Sequence, residues 1–134
     1  PLPLKKGFVT PLQGIITSRF GHRRFFNGQP RSPHSGLDIA ANKGTPIIAP
    51  APGNVVLADE LYFNGNTVFL DHGQGLITMY CHMENISVEE GDIVDVNDLL
   101  GTIGSTGRVT GAHLHWSVIL NNTTVEPLLF LKAE

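Results

Sequence analysis

The apolar residues of this 134-residue chain alternate with polar ones in short runs cut every few positions by Gly, Pro, Asn or Asp, and helical spacing is nearly absent. A period of two sends successive side chains to opposite faces of an extended segment, so each run can bury one face and wet the other. Strands are therefore predicted over 14–19, 37–40, 46–49, 54–58, 67–71, 76–83, 99–104 and 113–121, with one helical turn over 127–131. The 15 Gly and 9 Pro supply the turns that many short strands need. The expected fold is mostly β, an antiparallel sheet domain with little helix.

A chain of this length is expected to form one domain over 1–134. Its first residues, Pro1 to Lys6, show neither an initiator Met nor a signal-peptide pattern, so the expectation is a piece excised from a longer exported protein. No apolar run is long enough to cross a bilayer. The net charge of -3 gives no reason to expect nucleic acid, although Arg19, His22, Arg23, Arg24 and Arg31 crowd the stretch before His34. That cluster is either a solvated loop or a surface that meets carboxylates on a substrate. The single cysteine, Cys81, cannot close an intramolecular disulfide and leaves the redox compartment open.

Two strands carry most of the information. In the last one, His113, His115 and Ser117 share a face while Leu114, Trp116, Val118 and Leu120 share the other, so an apolar face can pack inward and hold the histidines outward. In 76–83 the same alternation groups Thr78, Tyr80 and His82 against Ile77, Met79, Cys81 and Met83, which points Cys81 away from His82 as a small buried hydrophobe. Asp71-His72-Gly73-Gln74-Gly75 is a hairpin signal, and His72 within it is expected to make structural hydrogen bonds. The glycines Gly101, Gly104, Gly107 and Gly111 have no Lys-Ser/Thr and no helix after them, which argues against phosphate binding; they are expected to bend the backbone and bring up the His113 strand.

The chemistry-bearing residues are His34 and Asp38 together with the pair His113/His115. They offer three ligands for one zinc ion and a spare histidine beside it. One cysteine cannot build a cysteine-rich structural site, and a catalytic zinc with three protein ligands leaves a position where water is acidified toward a pKa of roughly 7. Amide hydrolysis further needs proton transfer and oxyanion stabilisation, which suit an imidazole near neutral pH; His82 is the remaining candidate.

The chain resembles the lysostaphin-like, or LytM-type, zinc metalloendopeptidases of bacterial cell-wall peptidoglycan. The resemblance runs through Ser18-Arg19-Phe20-Gly21, His34-Ser35-Gly36-Leu37-Asp38, Asn66-Thr67-Val68 with Asp71-His72-Gly73, Tyr80-Cys81-His82-Met83, Gly104-Ser105-Thr106-Gly107 and His113-Leu114-His115. It implies an antiparallel β fold with a peptide groove, and one zinc held by His34, Asp38 and His115. It further implies His113 as general base and His82 as the histidine that binds or polarises the reacting centre. The implied substrate is the peptide of peptidoglycan, either stem or crosslink, and the implied place is periplasmic or extracellular. A regulatory protein or a pro-segment over the groove would be compatible with it. Several members use a tyrosine upstream of the first metal ligand to steady the oxyanion; between Phe20 and His34 this chain has Phe25 and Phe26 but no tyrosine, so that role is unassigned.

Three rival readings compete. A catalytically silent LytM-type domain would recruit or regulate wall hydrolases, but such domains typically lose metal ligands and here every matched position is filled. A zinc amidase would cut the sugar-peptide amide with nearly the same metal chemistry. A lipoyl-type carrier module is suggested by 49–53 and 90–94, but it needs a lysine at a hairpin tip where this chain has Gly73-Gln74.

Overall fold

The computed structural model describes residues 7–21, 35–104 and 111–131, together with the backbone of 25–26 and 29–30. In chain order the strands are β1 (Ile15–Ser18), β2 (Phe25–Phe26), β3 (Gln29–Pro30), β4 (Leu37–Ala40), β5 (Pro46–Ile48) and β6 (Gly53–Leu61). They continue with β7 (Gly65–Gly73), β8 (Leu76–Ile86), β9 (Ile93–Val94), β10 (Leu99–Ile103), β11 (His113–Leu120) and β12 (Thr123–Val125), before a 3-10 turn over Pro127–Phe130. Ten of them join one sheet along the path β1-β4-β11-β8-β7-β6-β9, with β12 on β11 and β10 between β5 and β8; β2 and β3 pair separately. All pairings between these strands are antiparallel, as the alternation predicts.

Each predicted strand has its counterpart, and the differences have physical causes. β2, β3, β9 and β12 are two or three residues long, too short to display a period. β6 runs on through the exposed Asp59 and Glu60 to Leu61, where pairing with β7 outlasts the apolar pattern. The β7–β8 hairpin closes as expected: Gln74 and Gly75 both have positive φ (53° and 83°), the combination that matches the twist of a two-residue hairpin loop.

The core lies on one side of the central strands. Leu114, Trp116 and Val118 of β11 are fully buried, Leu114 opposite Ile39, Trp116 between Leu37 and Tyr80, and Val118 opposite Thr78, while His113 and His115 on the other face stay partly accessible. Phe8, which belongs to no periodic run, is also fully buried; it packs against Trp116, Phe130 and His72 and ties the start of the described chain to its end through a bridge to Leu131.

A polar chain crosses this core. His72 Nδ1 lies 2.7 Å from the Pro52 carbonyl and Nε2 lies 2.8 Å from Thr78 Oγ1, which is 2.8 Å from the Tyr80 hydroxyl. A carbonyl can only accept, so Nδ1–H donates to Pro52, Thr78 donates to Nε2 and Tyr80 donates to Thr78. Burial lowers the His72 pKa below 6.5, against the Pro52 carbonyl and Asp71, and burial likewise raises that of Tyr80; both therefore stay neutral. Turn position and hydrogen bonding agree with the structural role expected of His72.

Two outcomes follow from this chain. Thr78→Val, nearly isosteric, strands His72 Nε2 and the Tyr80 hydroxyl in the core and should cost about 1–3 kcal/mol in urea unfolding. Because the folded His72 pKa lies below the unfolded value of 6.5, the unfolded chain binds more protons once pH drops under 6.5; the contribution of His72 is complete above that pH and is lost as pH falls through the folded pKa. Urea midpoints measured between about pH 7.5 and about pH 5.5 should fall more steeply in the wild type than in His72→Gln.

Candidate metal centre and active site

Asp38 sits on β4 directly across from His115 on β11, and His115 in turn faces Cys81 on β8. Directly opposed residues of an antiparallel pair share a face, so the three side chains form a row above the sheet. Asp38 Oδ1 and His115 Nδ1 are 2.9 Å apart, both side chains about five-sixths buried (15% and 17% exposed). A neutral nitrogen lone pair and a carboxylate oxygen repel at that distance, so a cation belongs between them, either a proton on Nδ1 or a metal ion. Imidazole nitrogen and carboxylate oxygen are both donors that zinc takes; tetrahedral ligands at about 2.0–2.2 Å from an ion stand about 3.3–3.6 Å apart, so the pair, now at hydrogen-bond distance, would open by about half an ångström to hold one.

The other histidines arrive by different routes. β8 pairs with β11 along Leu76 to Cys81 and with β10 from Met83 onward, so the same edge changes partner at His82. On its other edge Asn66 faces Met83 and Val68 faces Tyr80, leaving Cys81 and His82 together opposite Thr67 in a β-bulge. His82 takes up the irregularity with φ of 65°, a left-handed conformation uncommon for residues with a side chain. Its N–H donates to the Asn64 carbonyl at 2.8 Å and its carbonyl accepts from Gly104 N–H at 3.2 Å; Gly104 in turn accepts from His113 N–H at 3.3 Å. The rings of His82 and His113 thereby come to 5.1 Å between centroids, and those of His82 and His115 to 6.5 Å. His113 Nδ1 lies 3.0 Å from the Gly111 carbonyl, so Nδ1–H donates and Nε2 keeps its lone pair.

Asp38, His82, His113 and His115 are thus gathered in one place. His34 lies outside the described residues, and among those described no group of three His, Cys, Asp or Glu is arranged to hold a metal ion; Asp38 and His115 supply two donors. The bulge corrects one expectation from alternation: Thr78 and Tyr80 face the core, whereas Cys81 and His82 both lie on the side of Asp38 and His115. Cys81 is nonetheless buried, and burial pushes its thiol up to about 12, with the Asp38 charge adding to the shift against the Thr67 side chain; it stays a protonated hydrophobe.

Glycines shape the site differently from the bending role expected. Gly101 and Gly104 have no positive φ; a Cβ on either would run into the Asn85 carbonyl or the Glu84 backbone, so they are glycine to let β10 and the chain beyond it close on β8. Gly111 has no positive φ either, and open space surrounds its missing Cβ; Gly107 lies outside the described residues. Sequence reading assigned no physical role to Gly36, whose missing Cβ would stand 2.6 Å from Ser117 Oγ, 2.7 Å from the Trp116 carbonyl and 2.9 Å from His115 Cε1. Its place in the stretch between His34 and Asp38 was the available signal.

The sequence model of peptidase family M23 matches residues 32–127, more than half of the chain. The peptidoglycan DD-endopeptidase ShyC of Vibrio cholerae is 38% identical over 128 residues, covering 92% of this chain and 29% of that protein. The DD-carboxypeptidase/endopeptidase Mpg of Neisseria meningitidis is 36% identical over 113 residues, covering 84% and 26%. Among solved structures, a zinc containing peptidase from Vibrio cholerae superposes with a TM-score of 0.84 at 30% identity, covering 96% of this chain and 40% of that one. The catalytic domain of lysostaphin from Staphylococcus simulans superposes with a TM-score of 0.78 at 29% identity, covering 97% and 96%. The chain spans about a quarter to a third of the length of the curated relatives it matches first. With its antiparallel sheet and its cross-strand Asp38–His115 pair, the chain belongs to peptidase family M23.

Proposed function

We propose that this chain is a zinc endopeptidase domain that hydrolyses peptide bonds of peptidoglycan, with one zinc held by His34, Asp38 and His115. The observation that carries the reading is the opposite commitment of two neighbouring imidazoles. His115 turns Nδ1 to Asp38, while His113 spends Nδ1–H on Gly111 and keeps Nε2 free to accept a proton. Zinc, when bound, would supply Lewis-acid activation of a water nucleophile. His113 Nε2 takes the proton released as that water attacks and returns it to the leaving amine. His82, held by backbone hydrogen bonds at both its N–H and its carbonyl, presents its ring to the carbonyl oxygen as negative charge develops there.

The relatives named as peptidoglycan DD-endopeptidases support the choice of substrate and a site of action in the cell envelope. Among the described residues no helix is long and apolar enough to cross a membrane. In this reading the domain covers 1–134. A silent, recruiting domain is disfavoured because nothing would demand that Asp38, His82, His113 and His115 converge.

Two experiments test this. Elemental analysis should find about one zinc per chain; His115→Ala should lose the ion and turnover together, whereas His113→Ala should keep the ion and lose turnover by about 10²-fold or more. Equal retention of metal by the two variants would refute the division of roles. Digestion of purified sacculi should release shorter or uncrosslinked stem peptides, and chelation should stop it. Whole stems freed from glycan would show an amidase instead.

A further inference from the structure

The second nitrogen of His115 has its own partner. Nε2 lies 3.1 Å from Ser117 Oγ, and the same Oγ lies 3.2 Å from the Ser35 carbonyl. Ser117 is buried at 1% exposure and holds a single hydroxyl hydrogen. The Ser35 carbonyl has no hydrogen to give, so both contacts are satisfied in only one way: Ser117 donates to Ser35 and accepts from His115 Nε2–H. Gly36 makes the arrangement possible, since any Cβ there would collide with Ser117 Oγ and the His115 ring and drive the Ser35 carbonyl away.

We infer that Ser117 is a positioning residue that holds the His115 ring with Nε2–H committed to its hydroxyl, so that the Nδ1 lone pair is aimed at the point shared with Asp38 Oδ1. The inference rests on the reading that Asp38 and His115 hold the ion. Ser117 does not touch that point itself. It acts through the ring, by fixing its rotation and by drawing on Nε2–H so that Nδ1 becomes a better electron-pair donor. The Ser35 carbonyl orients the hydroxyl in turn, which makes the chain of bonds one-directional: Nε2–H to Ser117, Ser117 to Ser35.

The test is competition for zinc against a chromophoric chelator, on folded protein checked by circular dichroism, together with the visible spectrum of the cobalt(II)-loaded form. Ser117→Ala should weaken zinc binding by about 10–100-fold and shift the cobalt bands, because the ring is free to rotate. Ser117→Thr, which keeps the hydroxyl, should restore both. Ser117→Cys, close in volume but a weak acceptor, should behave like alanine and serves if the alanine variant packs poorly. Wild-type affinity and spectrum in Ser117→Ala or Ser117→Cys would overturn the inference and leave the metallopeptidase reading intact. Failure of the wild type to take up zinc would overturn both.

Discussion

The site depends on one event in the sheet, the change of partner along a single edge of β8. A strand edge offers one row of donors and acceptors, and here two strands divide it, β11 up to Cys81 and β10 from Met83. The residue at the junction cannot keep the regular pleat, so His82 adopts a left-handed conformation whose cost for a residue with a side chain is about 1–2 kcal/mol. What sustains it is a run of backbone hydrogen bonds from Asn64 through His82 and Gly104 to His113, which joins four separate stretches of chain at one point. His82 and His113, far apart in sequence, become neighbours because Gly104 bonds to the backbone of each.

The Asp38–His115 pair is placed by a different device. Asp38 and His115 are opposed within the ladder itself, so their approach is set by strand register and not by loop conformation. Beneath them Leu37, Leu114 and Trp116 are immobilised in the core, and the pleat then fixes the outward direction of the polar side chains. Above the sheet, one nitrogen of each of two imidazoles has a fixed partner, the Gly111 carbonyl for His113 Nδ1 and the Ser117 hydroxyl for His115 Nε2. Such partners hold the two rings in fixed orientations.

Much of this was legible in the sequence where the rule is local. The segment from His113 to Val118 sorts clearly because its polar and apolar residues alternate; Leu114, Trp116 and Val118 are buried as the sorting requires, while Ser117 on the polar face is buried as well. The turn at Gln74–Gly75 was legible because glycine there has one structural use. His82 shows where the rule stops. Alternation assigned it to the face of Thr78 and Tyr80, and the bulge that moves it across arises from Thr67 and from the division of the edge between β10 and β11, neither of which is encoded within 76–83. Gly36, Gly101 and Gly104 escaped for a related reason, since the atoms that exclude a Cβ belong to distant strands. The grouping of His34, Asp38 and His115 came from family resemblance; spacing alone left open which histidine of the last pair would ligate.

The hairpin between β6 and β7 carries Tyr62 and Phe63 at its tip, exposed and set edge to face with ring centroids 4.7 Å apart. That tip is tied to the strand bearing His82: Asn64 accepts from the His82 backbone, and the Asn66 side-chain amide donates to the Met83 and Glu84 carbonyls at 3.0 and 3.1 Å. Aromatic side chains on an anchored turn lose little conformational freedom when something leans on them. The turn that carries the two rings is therefore braced against the strand that carries His82, and a molecule that met it would find a surface already in shape.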